Sequence, residues 1–275
     1  MKNNYKNWID KIPLPKEYSN KYTRGSVLII GGEKNSTGAA RMAALSAARM
    51  SAGMVTVACS YDSLDIYASS LLSVMVRAFA NAVDLQEIIQ EKKINAILVG
   101  PGLAANQKTC DLIMFLKSQN LPLVIDAGGL TAISQNQQIK DFLLRGNIVI
   151  TPHQGEFKRL FGEFSDPINA VNNICKEYPN ITLLLKGNKT FIGYKENLII
   201  NEHSHPALST AGSGDVLAGM IVSLMASGCS SFEACQIASY FHGEIAINHG
   251  YGLIAEDIII GIPQALAKLL SPKKD

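Results

Sequence analysis

Short β-branched runs alternate with helical patterns along most of this chain, and that alternation restricts the fold more than any other feature. Strands are predicted at Ser26–Ile30, Met54–Ala58, Asn95–Val99, Pro122–Asp126, Asn147–Thr151 and Ile181–Lys186. Between them lie helical segments at Gly38–Ser51, Asp84–Glu91, Gln107–Gln119, Gln137–Leu144 and Pro167–Tyr178. Continuous apolar strands separated by helices define a parallel sheet covered on both faces. Lys186-Gly187-Asn188-Lys189 then reads as a hairpin turn into Thr190–Tyr194, with another strand at Leu198–Asn201, giving an antiparallel edge. Three helices close the chain, near Ser213–Ser227, Ser231–Asn248 and Glu256–Leu270. In the first, Val216, Leu217, Met220, Ile221, Leu224 and Met225 form one apolar stripe.

Glycine and polar residues gather just after the strands, at Gly31-Gly32, Gly100-Pro101-Gly102, Asp126-Ala127-Gly128-Gly129, Thr151-Pro152-His153 and Lys186-Gly187. Ligands of open α/β sheets bind outside the carboxyl ends of the strands, so these loops are expected to share one rim. Any α/β protein also needs glycines to end its strands, and a single such loop would carry no weight. The sharpest local signal is Ala211-Gly212-Ser213-Gly214-Asp215 ahead of an apolar helix. Free amides in the first turn and the positive end of the helix dipole suit phosphate. Asp215 stands where a carboxylate acts as a base, or where it merely favours the first turn; residue chemistry alone leaves both open. Lys186 and His153 are weaker candidates of the same kind. His203 and His205 lack a third ligand at metal-binding spacing.

The formal net charge of +2 gives no reason to expect nucleic acid as a partner. No apolar run reaches the roughly 20 residues that span a bilayer, so no membrane role is expected. Five scattered cysteines without a CxxC pair fit a reducing, cytoplasmic setting. Residues 1–24 read as a solvated lead-in segment, and 25–275 as one domain.

Taken in order, these motifs resemble the ADP- or ATP-dependent NAD(P)H-hydrate dehydratases of the ribokinase-like superfamily. Gly212-Ser213-Gly214-Asp215 resembles the superfamily's Gly-x-Gly-Asp motif, and Thr151 to Phe157 resembles the Thr-Pro-His-Pro-Gly-Glu segment of the dehydratases. Gly38-Ala39-Ala40, Ala52 to Thr56, Gly100 to Leu103, Asp126-Ala127 and Lys186-Gly187 with Thr190 follow in family order. The resemblance implies a ribokinase-like α/β fold that dehydrates the S-epimer of hydrated NADH or NADPH. Phosphate and AMP are released when ADP is used, and phosphate and ADP when ATP is used. It implies Asp215 as base, with Gly212, Ser213 and Gly214 around the transferring phosphoryl group. Ala40, Gly102, His153 and Asp215 would meet the hydrated dinucleotide. Lys186, Gly187, Asn188, Lys189, Thr190 and Gly214 would meet the adenine nucleotide. It further implies Mg²⁺ on the phosphates, with Glu156 in its outer shell, and a homo-oligomer, a tetramer by analogy. Gln154 replaces the family's proline, and His205-Pro206-Ala207-Leu208 replaces a more usual Asn-Pro-Gly/Ala-Met. A vitamin-precursor alcohol kinase of the same fold would share the cradle and the base.

Overall fold

The computed structural model describes residues 1–270. The last residues of the expected 25–275 domain, 271–275, lie outside the described residues. Nine strands form one sheet: β1 (Ser26–Ile30), β2 (Met54–Cys59), β3 (Met75–Ala78), β4 (Ala96–Val99), β5 (Leu123–Ile125), β6 (Ile148–Ile150), β7 (Thr182–Leu185), β8 (Thr190–Tyr194) and β9 (Asn197–Asn201). Their spatial order is β3-β2-β1-β4-β5-β6-β7-β8-β9. The pairs from β3 to β7 are parallel, and β7-β8-β9 are antiparallel. The expected antiparallel edge is therefore present, and the carboxyl ends of all seven parallel strands lie on one side.

Eleven α-helices surround the sheet among the described residues: α1 (Thr37–Met50), α2 (Leu64–Ser70), α3 (Ala82–Glu91), α4 (Gln107–Ser118), α5 (Ala127–Ser134), α6 (Gln137–Leu144), α7 (Gln154–Phe161), α8 (Pro167–Glu177), α9 (Ser213–Ala226), α10 (Ser231–His249) and α11 (Ala255–Leu270). Strand β1 shows why both sheet faces must be covered. Val27 and Ile29 join the core beneath α1, α9, α10 and α11, whereas Leu28 and Ile30 join the core on the opposite face. Period-two geometry sends neighbouring side chains to opposite faces, so an all-apolar strand cannot face water on either side.

Three elements are absent from the sequence-based expectation: α2, β3 and α5. Strand β3 is only four residues long and half exposed at the sheet edge, and α5 opens on Gly128 and Gly129, poor helix formers. Helix α9 also departs from the single stripe expected of it. Twelve of its fourteen residues are buried, because it is enclosed by the sheet, α1 and α10.

The α1–α9 contact is close enough to require glycine. A Cβ at Gly219 would lie 2.1 Å from Ser46 Oγ and 2.2 Å from the Ala43 carbonyl oxygen. Ser46 Oγ donates to the carbonyls of Ala43 and Val216, and Ser223 Oγ donates to that of Ala47. These bonds hold the two helices at fixed height. Gly219→Ala is expected to lower unfolding stability by about 1–3 kcal/mol, seen as a smaller midpoint in urea titration.

The lead-in is not simply solvated. Asn3 N–H donates to Ile200 O, and Ile200 N–H donates to Met1 O, so the first residues continue the sheet beyond β9. Trp8 is 1% exposed, with its ring edge on Tyr240 at 5.3 Å, and its Nε1–H donates to Asn3 Oδ1. The lysines of this segment are exposed around two buried anchors, Trp8 and Ile12, which charge pattern alone conceals.

Candidate active site

Two crevices open along the carboxyl ends of the strands. The larger is a cavity of about 900 Å³ lined by His153, the Lys186–Phe191 hairpin, the Asn201–Pro206 loop, Ser213, Gly214, Ser239 and His242. The second, about 550 Å³, lies where strand order reverses between β1 and β4. Gly31, Gly32, Phe79, Leu103 and Phe115 are among its walls. A reversal of this kind is where α/β sheets offer a ligand crevice.

The hairpin between β7 and β8 brings Lys186, Gly187, Asn188, Lys189 and Thr190 into the large cavity. Lys186 N–H donates to Pro152 O, which docks this turn on the end of β6. Its side chain crosses above β6 to the end of β5, where Nζ is 2.8 Å from Asp126 Oδ1. Burial works against the charged ammonium, but Asp126, then Glu156 and Asp215, outweigh it and hold the Lys186 pKa above the usual lysine value. A Cβ at Gly214 would stand 3.4 Å from Nζ, so the ammonium lies beside the first turn of α9.

Gly212 caps that helix with φ +85°, a left-handed conformation suited to glycine. Any Cβ there would also lie 2.4 Å from the Met42 sulfur. The following amides, of Gly214 and Asp215, donate to no carbonyl among the described residues, as first-turn donors do. His242 supports this turn from α10. It is 7% exposed, and its Nε2 lies 3.0 Å from Ser213 O and 3.3 Å from Ser213 Oγ. A carbonyl only accepts, so Nε2 carries the proton. Burial pushes the His242 pKa down to about 4, and the ring stays neutral at ordinary pH.

Asp215 sits one residue beyond the cavity wall formed by Ser213 and Gly214, and is partly exposed. No hydrogen bond or ion pair engages its carboxylate among the described residues. Burial, then the charge of Asp126, with a smaller push from Glu156, raises its pKa to about 7 against the pull of Lys186. An unpaired carboxylate of this kind near neutral pH fits proton abstraction better than a helix-capping role.

Other expected residues fall less uniformly. His153 lines the large cavity, and it is also the N-cap of α7: Nδ1 accepts from the amides of Gly155 and Glu156 at 3.0 and 3.2 Å. Its proton is thereby fixed on Nε2, which lies 3.6 Å from Glu156 Oε1. Glu156 is 5% exposed and Oε2 accepts from His153 N–H, completing a capping box. Among the described residues no group of three His, Cys, Asp or Glu can hold a metal, and Glu156 serves the helix cap. Ala40 is fully buried in α1 and lines neither crevice. Gly102 accepts a hydrogen bond from Ser36 Oγ at 2.6 Å and adjoins the second crevice through Leu103. His203 and His205 lie in a loop, not on a strand. His203 Nε2 is 2.8 Å from Glu244 Oε2, and His205 Nδ1 accepts from Ala207 N–H. Asp126 and His242 are the residues that residue-by-residue reading leaves without a role.

The fold and this strand-end cradle define a ribokinase-like α/β protein. A solved ribokinase-like superfamily protein from Enterococcus faecalis superposes with a TM-score of 0.85 at 26% identity, covering 95% of this chain and 93% of that one. The family profile described as NAD(P)H-hydrate dehydratase matches residues 27–263, and the chain belongs to that family. It is 31% identical over 240 residues to the ADP-dependent (S)-NAD(P)H-hydrate dehydratase of Neisseria meningitidis, covering 84% of this chain and 79% of that protein. It is also 31% identical over 282 residues to a bifunctional NAD(P)H-hydrate repair enzyme of Dictyoglomus turgidum, covering 95% of this chain and 54% of that protein. The chain spans about half the length of the bifunctional relatives it matches.

Proposed function

We propose that this protein repairs damaged nicotinamide cofactor by dehydrating the S-epimer of NADH or NADPH hydrate at the expense of ADP or ATP. The observation that carries this reading is the unpaired Asp215 carboxylate in the first turn of α9, next to free amides and the Lys186 ammonium. Asp215 takes the proton of the hydrate hydroxyl as its oxygen attacks the terminal phosphorus of the nucleotide. The bond from that phosphorus to AMP (with ADP) or to ADP (with ATP) breaks. The free first-turn amides of Gly214 and Asp215, in the turn formed by Gly212 and Ser213, hold the phosphoryl oxygens, a task of positioning and charge neutralisation. Phosphate then leaves this ester with the electron pair of the broken carbon–oxygen bond, and loss of a ring proton to solvent restores the dihydropyridine double bond.

In this reading the Lys186–Thr190 hairpin with Gly214 holds the nucleotide. His153 offers its Nε2–H to the hydrated dinucleotide, whose path runs toward Gly102 and past the turn carrying Ala40. Magnesium normally binds through phosphates, water and one or two carboxylates. The described residues form no cage for it, so it would come with the nucleotide and neutralise phosphate charge. A cytoplasmic homotetramer belongs to the same proposal. Exposed Leu72, Tyr251 and Ile260 are consistent with subunit contacts, and light scattering after gel filtration checks the assembly.

The direct test is incubation with hydrated NADH, magnesium and either ADP or ATP. Return of the reduced-nicotinamide absorbance with AMP or ADP release supports dehydration. A stable phosphorylated product would instead identify a kinase. The pH dependence gives a second test. A base must be deprotonated to act, so kcat/KM is expected to rise through an acid limb near pH 7 and level off above it. A rate that is flat from pH 5 to 8 would remove Asp215 from that role (the interval brackets about the middle of histidine and raised-carboxylate titration).

A further inference from the structure

One ammonium, Lys186, stands among three carboxylates from different elements: Asp126 after β5, Glu156 in α7 and Asp215 in α9. Among the described residues its one ion pair is with Asp126 at 2.8 Å. To make it, the side chain leaves the end of β7 and passes over β6. Asp126 is buried, its side chain 2% exposed, so this contact is built into the fold and is not a surface coincidence. Without Asp126, the ammonium beside Gly214 would be left with two carboxylate neighbours: Glu156, which already accepts from His153 N–H, and Asp215, which has no partner among the described residues.

We propose that Asp126 is a positioning residue of the reaction, holding the Lys186 ammonium at the nucleotide side of the cradle so that Asp215 stays unpaired and able to accept the substrate proton. The proposal rests on the dehydratase reading, and it adds a role for a residue that meets no reacting atom. Two effects act together. The ion pair fixes where the cation stands, and the Asp126 charge keeps the base reluctant to ionise. Of the other groups around Asp215, Glu156 adds negative charge from α7, and neutral His242 supports the turn from α10.

The test uses two single variants and their combination, in the full chain. Asp126→Asn removes the like charge and frees Lys186 toward Asp215; both changes favour the ionised base. The Asp215 titration, followed by carboxyl-carbon NMR in ligand-free protein, is expected to move down by about one unit or more. The acid limb of kcat/KM should move with it, and the plateau rate should fall about tenfold or more as the base becomes ion-paired. Lys186→Met removes the attraction, so the same titration should move up. The double variant should return toward the parent value. Opposite signs separate this role from a general loosening of the fold, which would not reverse between variants. An Asp215 titration that is unmoved in Asp126→Asn, or moves up, overturns the proposal. The NMR measurement stands apart from turnover. If the parent protein shows no dehydratase activity yet the shifts appear, the reaction is misassigned while the positioning role survives; activity with unmoved titrations fails the positioning role alone.

Discussion

Asp215→Asn is expected to lower kcat by about 10²- to 10⁴-fold, while calorimetric ADP affinity stays within about twofold, since the proposed nucleotide contacts are those of the hairpin and the helix amides. The amide keeps the size of the side chain but cannot accept the hydroxyl proton. The same variant carries a second signature, in stability. Asp215 titrates near 7 in the folded chain and near the ordinary carboxylate value when unfolded. Between those values the folded state binds more protons, so stability falls as pH rises through this interval. Removing the group should therefore raise the melting temperature at pH above the folded pKa and leave it nearly unchanged in acid (below about pH 4). Loss of turnover together with gain of stability in neutral buffer marks a strained catalytic carboxylate. Retained turnover would exclude Asp215 as the base.

Trp8→Ala should destabilise the protein by about 3–5 kcal/mol. For a chain of this size that corresponds to a melting temperature lower by on the order of 10 °C. Trp8 is closed in by Tyr240 and Phe241 of α10, and its indole N–H is satisfied by Asn3. Truncation would leave a cavity and loosen Asn3, which also donates to Gln236 O and Asn201 Oδ1. The β9 edge would lose its added backbone pairing. Because Asn201 and the adjoining loop line the large cavity, nucleotide binding should weaken as well. A melting temperature within a degree or two of the parent's would show that the segment is dispensable (roughly half a kcal/mol by the same scaling).

Much of the fold was legible because strand and helix periods are properties of neighbouring residues. The run Val27-Leu28-Ile29-Ile30 can only be a strand buried on both faces, and the turn Lys186–Lys189 can only join antiparallel neighbours over so short a span. The Gly212–Asp215 cradle was legible for the same reason: cap, free amides and acid lie within four consecutive residues. Helix α5 was not, since Gly128 and Gly129 argue against it locally and packing on α4 and α7 overrides them. The burial of Trp8 was not legible either, because its partners Tyr240 and Phe241 lie at the other end of the chain.

What the sequence by itself determined is eight of the nine strands described, the antiparallel edge and the chemical character of the first turn of α9. Only tertiary structure decided the electrostatics of the site. Asp126 and Lys186 are 60 positions apart, and His242 reaches Ser213 from another helix. Whether Lys186 pairs with Asp126 or with Asp215, and hence whether the proposed base is quenched or active, depends on a cation's reach across β6. Charges separated in sequence interact only through distance and burial, and neither exists until the chain has folded.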